Sequence, residues 1–309
     1  MLRSGAGRPD RSSSGFAKKT KTKIWLGVGA FVLAGSDATT TSAIPPLAAE
    51  TSSGVSGLPA RSPDTAASPA ASRGVVMAQH AGHDAGEGGE SQGLANLPPD
   101  LAFAARVTLL RGHLLVGDEL VRQQQWNAAL PHFLHPTEEI YGDIKDQLAE
   151  YRVPPFDAAL KTLSDVVKAK KGGADYAKAL KAVNDGLAAA DAGMKAKQAN
   201  WPGFVVEAAV EALKAATGEY QQAVVGNRIA KPVEYQDARG FILQADRMIE
   251  SVAPDLQQKD PAALGQVRAG LADLKKAFPS PMPPRTPVRD YGGVLAEVSK
   301  IELAAGKLM

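Results

Sequence analysis

The sequence predicts an all-α protein, an up-and-down bundle of about eight helices that follows a disordered N-terminal segment. Three observations support this prediction. From Leu97 onward, apolar residues recur every three or four positions, which is the helical period. Prolines and glycines separate these periodic stretches where helices begin or end. No convincing run of alternating apolar and polar residues, the pattern of a strand, interrupts them.

Residues 1–49 have the pattern of a secretory signal peptide. Residues 1–23 carry seven Lys or Arg and one acid, and residues 24–35 form a twelve-residue apolar run. This run is too short to cross the ~30 Å hydrocarbon core of a bilayer, and small residues follow it, as before a cleavage site. We therefore expect export and no membrane span after cleavage. The alternatives are an uncleaved anchor or a misassigned start.

The composition limits the compartment and the partners. Cysteine is absent, which excludes disulfides, thiolate metal sites and thiol nucleophiles. An exported chain of this size without disulfides suits a bacterial periplasm. Residues 50–309 hold 28 bases and 31 acids, so the basic character belongs to the export signal. Without a basic patch, we expect no nucleic-acid partner.

Residues 50–98 are predicted to be a disordered linker, because they are rich in Ser, Thr, Ala, Gly and Pro and poor in large apolar residues. The linker contains the stretch 77–90 (MAQHAGHDAGEGGE). Its Met, two His and carboxylates can wrap a soft or borderline cation such as copper or zinc. The alternative is a polar linker that happens to contain two histidines.

The helical bundle domain is predicted to span residues 99–309. Its first helix covers 101–124, because Pro98 and Pro99 precede it and Asp100 can cap it. A tight turn leads to a second helix over 126–135. Pro136 then starts a fresh helix that runs to residue 151. Gly117 is expected to let the first two helices approach closely.

Amphipathic periodicity predicts the other helices, each bounded by proline or glycine. These helices are 156–170 before Gly172-Gly173, 175–197, 202–225 before Gly226-Asn227, 232–252 before Pro254, 261–278 with Pro261 in its first turn, and 291–307. Residues 278–287 (FPSPMPPRTP) are predicted to form a stiff extended loop.

The functional signal is the set of histidines in the first hairpin. His113, His132 and His135 are the three histidines of the bundle domain. If the hairpin turns near residues 124–125, His113 lies level with His135 across it. His132 shares the face of His135. The alternative is that all three are structural, with His113 hydrogen-bonded between helices, His132 at a boundary and His135 capping a helix.

Carboxylates near these histidines complete a possible metal site. Glu138 and Glu139 follow His135 by three and four residues, so at least one shares its face. Glu234 and Asp237 are three apart and can present two carboxylates if their helix packs beside the hairpin. The alternative for this second pair is a favourable interaction with the helix dipole. Imidazoles and carboxylates between helices form metal sites in bundles, and the set suits iron, copper or zinc.

Enzyme motifs are missing from the sequence. It contains no G-x-S-x-G elbow, phosphate-binding loop, dinucleotide fingerprint or H-E-x-x-H motif. We therefore expect no catalytic activity.

The segment His135-Pro-Thr-Glu138 has the H-x-x-E spacing of the imelysin-like proteins. The acidic run Glu138–Asp143 after the helix containing Trp126 also resembles their acidic helices. The resemblance implies an exported, all-helical protein associated with the uptake of iron and other metals. It carries over His135 and Glu138 alone as functional residues.

Together these observations predict an exported, periplasmic helical bundle that binds a transition-metal ion and acts as an accessory in metal uptake or homeostasis. The expected ligands come from His113, His135, Glu138, Glu139, Glu234 and Asp237. The metal ion and an envelope protein are the expected partners. The alternative is a non-catalytic protein-interaction module of the envelope that binds no metal.

Overall fold

A computed structural model describes residues 93–309, and this part of the chain is an all-α bundle, as predicted. The predicted signal peptide and the stretch 77–90 lie outside the described residues. Within the described residues, Gly93–Asn96 form a short 3-10 helix before the predicted domain boundary at residue 99. Leu94 in this turn is buried against the core.

Eleven helices, which we number α1 to α11, follow one another in residues 93–309. They are α1 Pro99–Arg122, α2 Trp126–Ala129, α3 Pro131–His135, α4 Tyr141–Ile144, α5 Asp157–Lys168, α6 Gly173–Lys197, α7 Trp201–Ala223, α8 Pro232–Ser251, α9 Ala253–Lys259, α10 Pro261–Ala277 and α11 Tyr291–Ala305. Two further turns, Pro136–Ile140 and Lys145–Tyr151, are π-helical and 3-10-helical respectively.

The helix α8 lies at the centre of the bundle. It packs along α7 and α1, while α5 pairs with α6, and α10 pairs with α11, which also contacts α7. Aromatic side chains of α8, Tyr235 and Phe241, are fully buried. Within residues 93–309, every helix is too short or too polar to cross a bilayer.

The hairpin after α1 differs from the prediction in its second half. Where one helix was expected over 126–135, Pro131 divides α2 from α3. Where a fresh helix was expected over 136–151, the chain forms the π turn, the short α4 and the 3-10 turn. Proline lacks an N–H and cannot extend the regular i to i−4 ladder, which accounts for both interruptions.

A small β-hairpin replaces the predicted end of the helix over 202–225. Val224–Val225 forms β1 and pairs antiparallel with β2, Arg228–Ile229. Gly226 in the turn has a φ of 62°, a left-handed conformation that glycine adopts without steric cost. The valines favour the extended conformation, so the chain leaves α7 at Ala223 and turns directly toward α8.

Glycines bring the helices that surround the candidate site into close contact. A Cβ atom on Gly240 would lie 2.3 Å from the Gly112 carbonyl oxygen, so α1 and α8 touch through their backbones. A Cβ on Gly117 would lie 2.7 Å from the ring of Phe133 in α3. The predicted role of Gly117 is thereby confirmed, and α1 is packed tightly against both α3 and α8.

We expect Gly240→Ala to lower the free energy of unfolding by about 1–3 kcal/mol, because the added methyl group must push the α1 backbone away. Urea unfolding followed by circular dichroism at 222 nm measures this change. Gly265→Ala is the matched control, since Gly265 is exposed in α10 with open space around its Cα. This control should gain about 0.5–1 kcal/mol from helix propensity. Equal effects of the two substitutions would contradict the proposed contact.

Candidate metal centre

Two histidines and one aspartate from three different helices converge in the core. His113 lies on α1, His135 ends α3 and Asp237 lies in the second turn of α8. One ligand atom from each lies within 4.8 Å of the other two. All three side chains are buried. The predicted level position of His113 and His135 is confirmed, since their ring centroids are 5.6 Å apart.

The Asp237 carboxylate is the electrostatic centre of this group. Its Oδ1 lies 2.7 Å from His113 Nδ1 and 2.8 Å from His132 Nδ1. Burial on its own raises the pKa of the Asp237 carboxyl, but the two imidazoles outweigh burial and hold that pKa well below its usual value. Asp237 is therefore ionised, which is the form in which a carboxylate binds a metal ion.

His132 holds this carboxylate in place from the second side. The Gln236 amide nitrogen donates to the Pro281 carbonyl oxygen at 3.0 Å, which leaves the amide oxygen as an acceptor. This oxygen lies 2.9 Å from His132 Nε2, so Nε2 carries a hydrogen. Nδ1 faces the ionised Asp237 and donates as well. With both nitrogens donating, His132 positions Asp237 and has no lone pair for a metal ion.

The local fold around His135 departs from a regular α-helix. His135 ends α3, and the π turn that follows closes i to i−5 bonds in place of the usual i to i−4 bonds. Such turns are frequent at functional sites. His113 is shielded on another side by Phe241, whose ring meets it edge-on at 5.1 Å. The imidazoles of His113 and His135 thus lie close together in the buried interior.

Two imidazole nitrogens and one carboxylate oxygen can bind a transition-metal ion. Zinc bonds such atoms at about 2.0–2.2 Å, so donor atoms already this close need only small side-chain rotations to share one ion. Three protein ligands leave at least one coordination position open. The combination of two His and one carboxylate also suits ferrous iron.

The other predicted ligands do not join this group. Glu138 is exposed, and Glu139 is half-buried and lies outside the group of three. Their expected positions assumed α-helical spacing after His135, and the π turn changes that spacing. Glu234 Oε1 instead lies 3.1 Å from Lys231 Nζ. Glu234 is about one turn before Asp237 and lies near the start of α8. Of the two carboxylates predicted on α8, the structure brings in Asp237 alone.

Sequence reasoning missed the roles of His132 and Gln236. His132 was interpreted as a boundary residue, but it is completely buried. Its spacing of three residues from His135 was the one available signal. Nothing in the sequence indicates that Gln236 and the Pro281 carbonyl would form a hydrogen bond and thereby fix the proton positions on His132.

Comparison with known proteins gave one match to a family, in the C-terminal part of the chain. Residues 195–309 match the model of the iron permease-associated 4-helix bundle domain. This segment includes α7, α8 and Asp237, whereas His113, His132 and His135 precede it. Searches of curated proteins and of solved structures gave no significant match.

The match indicates a helical domain related to metal uptake, but not an imelysin-like one. The resemblance to imelysin-like proteins depended on His135 and Glu138 acting together. The structure buries His135 and exposes Glu138, so the H-x-x-E spacing does not form a joint site. The coarser expectation of a metal-related helical bundle is retained.

We expect Asp237→Asn to lower the free energy of unfolding at neutral pH by on the order of 3 kcal/mol, because a buried charge pair loses one partner. The pKa of Asp237 is lower in the folded protein than in the unfolded chain, where it is about 3.9. The contribution is therefore complete above that value and is lost as pH falls below it. Urea unfolding of both proteins from pH 3 to pH 7 measures it. A parent-minus-variant difference that stays constant over this range would contradict the assignment.

Proposed function

We propose that this chain is an exported, periplasmic protein that binds one transition-metal ion, iron, copper or zinc, and serves as an accessory in metal uptake or homeostasis. The ion is held by His113, His135 and Asp237, and no catalytic step is assigned to it. The observation that carries this proposal is the convergence of three ligand atoms, from α1, α3 and α8, within 4.8 Å of one another.

Two further observations support the proposal. Asp237 is ionised despite its burial and His132 anchors it, which is how an outer residue orients a metal ligand. Residues 195–309, which supply Asp237, match an iron permease-associated domain. The set of ligand atoms and the family match are independent observations, and both favour a role in metal handling.

The full chain should bind one Zn²⁺, Cu²⁺ or Fe²⁺ per molecule in isothermal titration calorimetry, with Fe²⁺ measured anaerobically. The double variant His113→Ala/His135→Ala should lose at least about 100-fold in affinity, more than the 10–100-fold loss typical of outer residues. Circular dichroism confirms that the variant is folded. Unchanged binding by the folded double variant would overturn the site.

Two matched variants separate this centre from the other candidate ligands. Glu138→Gln tests the exposed carboxylate three residues after His135 and should leave the affinity unchanged. His80→Ala/His83→Ala tests the stretch 77–90 and should leave one tight site per chain. If instead the tight site is lost with His80 and His83, the metal is bound by that stretch and not by the bundle.

His132→Gln should weaken metal binding by about 10–100-fold while leaving one ion per chain, because Asp237 loses the imidazole that orients it. The same calorimetric titration gives both affinity and stoichiometry. A loss of stoichiometric binding in His132→Gln would make His132 a ligand itself. An affinity equal to that of the parent would remove His132 from the centre.

A further inference from the structure

A second candidate site lies on the other face of α1 from the metal centre. Two adjacent cavities, of about 510 Å³ and 270 Å³, open between α1 and α8, with α6 beside both. Arg111, Gln244 and Arg247 line both cavities, so the two meet at these side chains. We refer to the pair of cavities as the arginine cleft.

The charges around the arginine cleft leave one arginine in excess. Three of its arginines each hold a carboxylate: Arg111 with Asp191 at 2.6 Å, Arg122 with Asp118 at 2.7 Å, and Arg239 with Glu119 at 2.8 Å. Arg247 makes no ion pair or hydrogen bond with any residue of the described part of the chain, 93–309. The cleft therefore offers an uncompensated positive charge.

The amide of Gln244 lies beside that charge. The residue is only 8% exposed, and its side chain forms no hydrogen bond with another residue between 93 and 309. Its amide atoms keep some exposure, since they are not among the fully buried unpartnered side-chain atoms of the described residues, and they border both cavities. It can donate and accept at once, so a polar ligand group in the cleft would satisfy it.

The smaller cavity is mainly apolar beyond this junction. Its polar residues there are Thr108, Ser251 and Asp191, whose carboxylate is paired with Arg111. The rest of its lining includes Met194, Trp201, Phe204, Val205, Ala208 and Met248. Ligand pockets commonly measure about 300–1,000 Å³ and combine an apolar lining with a few polar groups. A cavity of about 270 Å³ therefore admits a compact apolar group rather than a long chain.

We propose that the arginine cleft binds an organic carboxylate that carries a compact apolar group. Arg247 pairs with the carboxylate, since a guanidinium matches its two oxygens. The Gln244 amide donates to the same group, and the apolar part fills the smaller cavity between Trp201 and Met248. This site is separate from the metal centre and does not depend on the function proposed above.

Titration of the full chain with 4-phenylbutanoate tests the proposal, with calorimetry and the fluorescence of its three tryptophans, which include Trp201, as readouts. We expect saturable binding of one molecule per chain. 4-Phenylbutanol and 4-phenylbutylammonium, which have the same apolar group and no carboxylate, should bind at least tenfold more weakly. Absence of saturable binding, or equal affinity for the alcohol and the carboxylate, would overturn the proposal.

Three variants locate the ligand. Arg247→Gln should weaken binding at least tenfold, and Ser251→Phe should abolish it by filling the mouth of the smaller cavity, which exposed Ser251 borders. Arg228→Gln, which removes an exposed arginine on β2, is the matched control and should bind like the parent. Thermal melts confirm that each variant is folded. If Arg247→Gln and Arg228→Gln behave alike, the carboxylate is not held at the arginine cleft.

Discussion

The backbone contact between Gly112 and Gly240 fixes the distance between α1 and α8, and the centre of the molecule depends on it. Each glycine in a helix interior costs about 0.5–1 kcal/mol relative to alanine. The close approach of the helices offsets this cost, because it brings together residues near the two glycines. His113 follows Gly112 directly, and Asp237 lies one turn before Phe241, whose ring packs against His113. At this helix separation, Nδ1 of His113 and Oδ1 of Asp237 lie 2.7 Å apart. Gly117 makes the corresponding approach to α3, which delivers His132 and His135.

The same contact places the charged carboxylate of Asp237 in the core. The stability of the fold alone gives little reason to bury this charge. Replacing a buried charge pair with well-packed apolar residues is often neutral or stabilising. The surrounding helices bury mostly alanine, valine, leucine and aromatic residues, although a few other polar side chains, among them Thr108, Glu219 and Gln244, are buried as well. A carboxylate that stays ionised between imidazoles, with one imidazole fixed by Gln236, is instead arranged as a ligand set. This arrangement supports the metal site proposed above.

The sequence predicts the long helices well, because amphipathic periodicity and proline or glycine boundaries are local properties. The proximity of His113 and His135 could also be predicted, because it depends only on how many residues separate each of them from the turn of one hairpin. The failures have tertiary or conformational causes. Glu138 was assigned by α-helical spacing, and the π turn after Pro136 removes that spacing. The sequence could not show which of Glu234 and Asp237 joins the site. That depends on the packing of α8 against α1, which lies more than a hundred residues away in the chain. The role of His132 required the hydrogen bond from Gln236 to the Pro281 carbonyl, which no sequence pattern encodes.

The burial of the centre restricts how an ion can reach it. His113 and Asp237 are 0% and 2% exposed and belong to long helices that the glycine contact holds together. The bidentate pair between Glu119 and Arg239 also fastens these two helices, with Arg239 directly before Gly240 and Glu119 about two turns after Gly112. His135 is different, because it ends a five-residue helix that begins at a proline and leads into a π turn. Short elements with few regular hydrogen bonds open at lower free energy than long packed helices. In the proposed metal site, His113 and Asp237 therefore form a fixed pair, and His135 is the side chain with the freedom to open and close the site.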